Sequence, residues 1–373
     1  MKLRKDKWEK VKLGEVAKII MGQSPSSKTY NMNEVGLPFF QGKTEFTDKY
    51  PIAVKWCSKP NKIAEPNDIL ITVRAPVGST NIANQKCCIG RGIAAIRSKD
   101  SNDYILCYLN RIEKELILKG TGTIFGGISG KILSDLLIPL PPLSEQKQIS
   151  SLFQSIEKAM EEVEGEEKNL HNLLQLLIND FVNDKSKHRK STLIKLKFGD
   201  IAENISERIE PKNAIGQIFI GLDHLDPREI TISRFGKPDN LIGTKLKVYK
   251  GDIIFGKRNA YLRKAAVANF DGICSAHAMV IRAKPNKVIK GYLPYFMHSD
   301  SFMSRAKEIS EGSISPTIKW KNLERQEFSI PDLKTQEKIL EIFNQLETTL
   351  TQLKHQKTTL KNLKGKLLEE ILG

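Results

Sequence analysis

Apolar residues recur every seven positions through two long stretches of the chain, with further apolar residues four positions after many of them. In the first stretch Ile149, Ile156, Val163, Leu170 and Leu177 form one series, joined by Phe153, Met160, Leu174 and Phe181. In the second, Ile339, Leu346, Leu353, Leu360 and Leu367 are joined by Phe343, Leu350 and Ile371. Such sustained 3-4 spacing predicts two long helices with coiled-coil seams. No proline interrupts either stretch, while Pro139, Pro141 and Pro142 precede the first and Pro331 the second. A helix over residues 145–181 would reach roughly 55 Å at about 1.5 Å per residue, long enough to serve as a ruler. The one heptad position at which both seams turn polar is Glu167 in the first and Lys357 in the second, near mid-helix. Antiparallel pairing would bring these layers together, and a polar pair there would fix register.

Outside those stretches the pattern is mixed. Short β-branched runs such as Ile69-Leu70-Ile71-Thr72-Val73, Ile253-Ile254-Phe255 and Ala278-Met279-Val280-Ile281 alternate with Gly, Asn and Pro loops, and amphipathic patches at 104–118 and 292–309 predict helices. The sequence also repeats itself. Lys10-Val11-Lys12-Leu13-Gly14-Glu15-Val16-Ala17 is echoed by Lys195-Leu196-Lys197-Phe198-Gly199-Asp200-Ile201-Ala202. Likewise Asn67-Asp68-Ile69-Leu70 is echoed by Gly251-Asp252-Ile253-Ile254, and Ala94-Ala95-Ile96-Arg97 by Met279-Val280-Ile281-Arg282. Gly122-Thr123-Ile124 reappears as Gly312-Ser313-Ile314, and Pro141-Pro142-Leu143-Ser144-Glu145-Gln146 as Pro331-Asp332-Leu333-Lys334-Thr335-Gln336. Each copy is one mixed segment followed by one long helix. The expected fold is α+β: two mixed α/β domains related by a pseudo-twofold axis and separated by two long helices that form an antiparallel coiled coil. The expected segments are 1–142, 143–185, 186–331 and 332–373, with the basic stretch Lys185-Ser186-Lys187-His188-Arg189-Lys190 between the copies.

Charge narrows the choice of partner. Over 373 residues, 59 Lys and Arg against 43 Asp and Glu leave a formal charge of +16, which points to a polyanion, either nucleic acid or an anionic membrane surface. Residues 145–185 hold nine acids and four bases, and 333–373 five acids and seven bases, so the helices are opposite in sign and the positive field belongs to the mixed segments. No apolar run approaches the ~18 residues of a membrane span, and Met1-Lys2-Leu3-Arg4-Lys5-Asp6-Lys7 has no apolar core behind it. A cytoplasmic location without membrane association is expected. Five cysteines with no C-x-x-C spacing predict reduced core residues rather than disulfides or a zinc site.

Catalytic signatures are missing: there is no Walker A loop, G-x-S-x-G elbow, H-E-x-x-H or N-P-P-aromatic tetrapeptide. The glycine cluster at 120–127 follows a helical patch and lacks the register of a nucleotide loop, and Glu166-Glu167-Lys168 lies on a coiled-coil helix without a partner acid on a strand. No catalytic residue and no metal site is expected. DNA contacts are easier to place. Gln41, Lys43, Arg74, Asn81 and Arg91 are expected in loops flanked by Gly and Pro, where such side chains can reach base edges or phosphates. In the second copy Lys257, Arg258, Asn259, Tyr261 and Arg263 form a dense basic and aromatic run, followed by His277.

Taken together, the duplicated layout and the P-P-L-x-E-Q phrase opening a long helix resemble the DNA-specificity subunits of type I restriction and modification systems. Gly14-Glu15-Val16 with Gly199-Asp200-Ile201, Gly22-Gln23-Ser24-Pro25, and Leu37-Pro38-Phe39-Phe40-Gln41-Gly42-Lys43 are similar to that family as well. The second copy departs from the phrase at Asp332 and Thr335. The resemblance implies a non-catalytic reader of double-stranded DNA, with each mixed segment a target-recognition domain contacting one half of a bipartite target and the helices setting a fixed gap. It also implies two methylation subunits and restriction subunits as partners, with S-adenosylmethionine, ATP and Mg on those chains and no cofactor on this one. Two other readings stand beside it: a specificity subunit whose single partner carries both methylation and cleavage, and a basic coiled-coil scaffold without sequence preference.

Overall fold

The computed structural model describes residues 3–121, 127–183, 193–239 and 241–373. The chain divides into two compact units, one of Met1–Glu164 with His355–Gly373 and the other of Gly165–Lys354. Both divisions fall inside the long helices, Leu143–Asn183 and Leu333–Leu372. The four expected segments are therefore not four bodies, because each helix buries one portion of its length in each unit.

In the first unit a four-stranded antiparallel sheet runs in the order Lys18–Met21, Ile93–Arg97, Ile69–Thr72, Thr80–Ile82. The period of two along its central strands sorts their side chains into two layers. Ile69, Ile71, Ala94 and Ile96 face a core built with the helix Asn102–Arg111 and the long helices, whereas Leu70, Ile93 and Ala95 face Phe40, Ala64 and Ile89 of a second sheet. Burial on both faces explains why Ile69–Thr72 reads as an unbroken apolar run. In that second sheet Leu37–Phe40 pairs in parallel with Cys87–Ile89. Glu9–Lys12 pairs with Leu137–Leu140, returning the chain to the start of the first long helix.

The second unit repeats this order: Ala202–Ile205, Met279–Ala283, Ile253–Phe255, Ala265–Val267. Ile253, Phe255, Met279 and Ile281 face the helical core, and Ile254, Val280 and Ala278 face a second sheet containing Ile220, Val248 and Cys274. Its parallel pair is Ile218–Ile220 with Gly272–Cys274, and Leu193–Lys197 pairs with Glu327–Pro331. The repeat is thus one of topology and layer as well as sequence. The second helical patch breaks where a cap intervenes: Ser299 separates Tyr292–His298 from Asp300–Glu308 and accepts the Phe302 N–H at 3.2 Å. All five cysteines are free and buried. The expected basic boundary at 185–190 and most of the glycine cluster lie outside the described residues.

Duplicated polar residues hold equivalent corners. Asp68, 1% exposed, takes two bonds of 2.7 Å from Arg97, and Asp252, also 1% exposed, takes bonds of 2.7 and 2.9 Å from Arg282. Each Asp also accepts a backbone N–H three residues upstream, from Glu65 and from Tyr249. Leaving such a buried carboxylate unpaired would cost on the order of 3 kcal/mol. At the helix starts, buried Gln146 donates to Pro141 O and buried Gln336 to Pro331 O, both at 2.8 Å. Asp332, which replaces the second proline, caps its helix through the Thr335 N–H at 2.9 Å. The bonds from Thr335 hold its carboxyl below the usual aspartate value. The departure from the P-P phrase therefore substitutes one helix start for another.

The long helices run antiparallel within each unit. In the first, Lys364 pairs with Glu157 at 2.6 Å and Lys357 with Glu164 at 2.5 Å, so seven residues forward on one helix match seven back on the other. In the second, Phe181 meets Phe343 edge to face at 5.7 Å, and Leu174 shares a core with Phe343 and Leu350. Of the two polar seam residues, Lys357 belongs to the first unit and Glu167 to the second, where His171 lies 4.0 Å away.

Candidate nucleic-acid interface

The central sheet of each unit ends in loops that hydrogen-bond to one another. In the first unit the last pair is Ile93 with Thr72, and beyond it Val73 N still donates to Gly92 O at 2.9 Å. Gly90 N donates to Phe40 O at 2.8 Å, Gly22 N to Ile93 O at 2.9 Å, and Ile128 N to Val73 O at 2.8 Å. Segments 22–24, 40–43, 73–76, 90–92 and 127–128 thus form one cluster. Glycine permits the packing: a Cβ on Gly92 would lie 2.1 Å from Gln41 O, and one on Gly22 would lie 2.2 Å from Gly90 O. Gln41, Lys43, Arg74 and Arg91 all lie exposed on this cluster.

The second unit builds the same corner with different side chains. Its last sheet pair is Phe255 with Met279, so 256–264 and 275–278 leave from one end. Arg258 bridges to Thr317 as Arg74 bridges to Gly127, and Ile318 N donates to Lys257 O as Ile128 N does to Val73 O. Arg74 and Arg258 therefore occupy one position in the two copies, and both are exposed. The loop closes with Gly256 N donating to Lys264 O at 2.8 Å. At its tip Tyr261 is 58% exposed, and His277 is exposed beside the neighbouring turn. Arg258 also ties this loop to a small hairpin, Glu311 to Thr317, whose tip residue Ile314 is 94% exposed.

Several expected contacts are placed otherwise. Asn81 is 2% exposed; its Nδ2 donates to Thr47 O at 2.7 Å and its Oδ1 accepts from Thr47 N, so it pins the 43–47 loop and is not presented to a ligand. Arg263 is also turned inward, donating to Asp300 Oδ1 and to His298 O at 2.6 Å each. Lys257 is half-buried, and burial pushes its ammonium below the usual lysine range, with Arg208 acting in the same direction. Asn259 and Arg263 both have left-handed backbone, φ 56 and φ 52, and bracket the turn Ala260–Leu262. A left-handed arginine costs about 1 kcal/mol, and the equivalent residue of the first copy is Gly78, φ 93. The Arg263 guanidinium is paired with Asp300 at 2.6 Å.

Sequence reasoning missed Ile314 as a surface feature, together with the equivalence of Arg74 and Arg258. The signal for the second was present, since the two arginines follow the echoed Asp68 and Asp252 at the same distance. Among the described residues no cluster suited to a metal ion occurs, and no helix is long and apolar enough to cross a membrane.

The family model for the type I restriction modification DNA specificity domain matches residues 5–172 and 232–362. A Methanocaldococcus jannaschii chain bearing the name of the type I restriction enzyme MjaX specificity subunit is 45% identical over 179 residues, 45% of this chain and 42% of that one. The MjaVIII specificity subunit of the same organism is 22% identical over 98% of this chain and 92% of its own. This chain thus spans less than half of the first relative and nearly all of the second. A crystal structure of a type I restriction-modification S subunit from M. genitalium superposes with a TM-score of 0.60 at 15% identity, covering 100% of this chain and 98% of that one, and so shares the fold. The chain belongs to the type I restriction modification DNA specificity family.

Proposed function

We propose that this chain is the DNA-reading subunit of a type I restriction-modification enzyme, with each unit presenting its loop cluster to one half of a bipartite target. The carrying observation is the duplicated corner, where Arg74 and Arg258 stand exposed at the same backbone position in loops that otherwise differ in sequence. A common basic anchor suits the phosphate backbone, which is alike at both halves, and the differing neighbours suit different bases. Gln41, Lys43 and Arg91 would read one half, and Tyr261 and His277, with Lys257 behind them, the other.

In this reading the chain itself does no chemistry. Methylation subunits, two per reader, bring S-adenosylmethionine, and restriction subunits bring ATP and Mg, while the antiparallel helices hold the recognition domains at a set spacing. A scaffold without sequence preference has no use for two loop clusters that share a frame and differ in side chains. The test is exchange of residues 186–331 for the corresponding segment of another family member, followed by mapping of the methylated sequence. One half of the target should change and the other stay; a change in both halves would contradict modular reading.

A further inference from the structure

Arg263, inward-facing and left-handed, is the centre of a hydrogen-bonded chain that lies wholly within the second unit. Its Nη1 donates to Asp300 Oδ1 and its Nη2 to His298 O, each at 2.6 Å. Asp300 is clamped in turn by the first long helix: Asn179 Nδ2 donates to Asp300 Oδ2 at 2.6 Å, and Asp300 N donates to Asn179 Oδ1 at 2.8 Å. Gln175, one turn earlier, donates to His298 O at 3.2 Å. His298 Nε2 donates to Ala265 O at 2.7 Å, and Arg228 N to Arg263 O at 3.0 Å. The loop carrying Arg258 and Tyr261 is thereby tied at its far end to two residues of the long helix.

The fold does not require this arrangement. In the first copy Gly78 stands where Arg263 stands, and the neighbouring contacts are bonds from Ser79 Oγ to Glu113 Oε1 at 3.0 Å and from Thr80 Oγ1 to Asn110 Oδ1 at 2.6 Å, neither of them to a long helix. The same sheet order and the same loop exit form there without an arginine. What the arginine adds is a pair of bonds from the eight-residue loop 257–264 to Asp300 and His298.

We propose that Arg263 is a positioning residue for target recognition, acting with Asp300 and with Asn179 and Gln175 of the long helix to set the pose of the 257–264 loop. This rests on the reading of that loop as DNA-facing. It follows that the specificity of the second domain is encoded partly in the helix, upstream of residue 186.

The test uses the enzyme assembled with its methylation partner and duplexes of its mapped target carrying single base-pair changes in either half. Arg263→Ala and Asn179→Ala should each lower discrimination in the half assigned to residues 186–331 about tenfold and leave the other half unchanged. The double variant should lose no more than either single one, and Arg263→Lys should recover part of the loss. Asn179 is partly exposed on the helix surface, so Asn179→Ala keeps the test decisive if Arg263→Ala lowers the melting temperature. Equal losses in both halves, or unchanged discrimination, would overturn the proposal while leaving the reader function intact. A wild-type enzyme with no bipartite target would overturn the function itself, and the positioning role with it.

Discussion

The ring of His298, a residue 1% exposed, has among the described residues only the Ala265 carbonyl oxygen as hydrogen-bond partner, so Nε2 carries a proton, and the buried Nδ1, which has no acceptor, favours the neutral ring. Burial pushes its pKa from 6.5 to about 4; Arg263 and Arg228 push the same way, and Ala265 O and Glu229 oppose them. Between those values the unfolded chain takes up a proton that the folded chain refuses. Stability is therefore full above about pH 6.5 and falls with pH, by up to about 1.4 kcal/mol per unit. Denaturant titrations from pH 7 to pH 5 should show that slope, and His298→Asn should flatten it; equal slopes in the two proteins would contradict the assignment. The same corner shows what residue type leaves unsaid. Arg258 and Arg263 are five residues apart in one basic run, yet the left-handed turn at Arg263 sends one guanidinium inward to Asp300 and leaves the other exposed. Asn81 and Gln41 differ likewise: Asn81 lies on a strand facing the 43–47 loop, and Gln41 lies past a strand end. Direction, set by the backbone, decides which polar residues are available, and composition carries no direction.

At the scale of elements the seven-residue seams were the most legible feature, because a buried stripe writes its period directly into the sequence. Their details shift where the environment changes. Ile149, Phe153, Ile156 and Val163 are buried as the heptad requires, but further along Leu174 and Ile178 are buried while Leu177 is only partly covered. There two successive steps of four, from Leu170 through Leu174 to Ile178, carry the stripe into the second unit's core along the 3.6-residue period rather than 3.5. The small strands of the second sheets, such as Trp56–Cys57 and Ile63–Ala64, are two residues long and left no periodic trace. If the paired helices set the spacing of the recognition domains, inserting seven residues into each should separate the domains by roughly 10 Å, about three base pairs of duplex. Mapping the methylated target of that variant should show a correspondingly longer gap, and an unchanged gap would contradict the spacer role.

At the scale of the whole molecule, the internal repeat supplied its own alignment. Residues that recur at a fixed offset either hold the shared frame, as Asp68 with Arg97 and Asp252 with Arg282 do, or mark a shared surface, as Arg74 and Arg258 do. Residues that fail to recur, such as Gln41, Arg91, Tyr261 and His277, stand exposed around it, where the proposed function needs variety. The frame was therefore legible from sequence, and the reading surface only in outline, since loop conformation decides which side chain meets which base. The central claim, that this chain directs methylation to a bipartite sequence, is tested most directly by mapping methylated adenines across the genome of host cells with and without the gene. The account predicts one motif, two short specified halves around a fixed unspecified gap, present with the gene and lost without it. An unchanged methylation map in cells that express the partner subunits would contradict it.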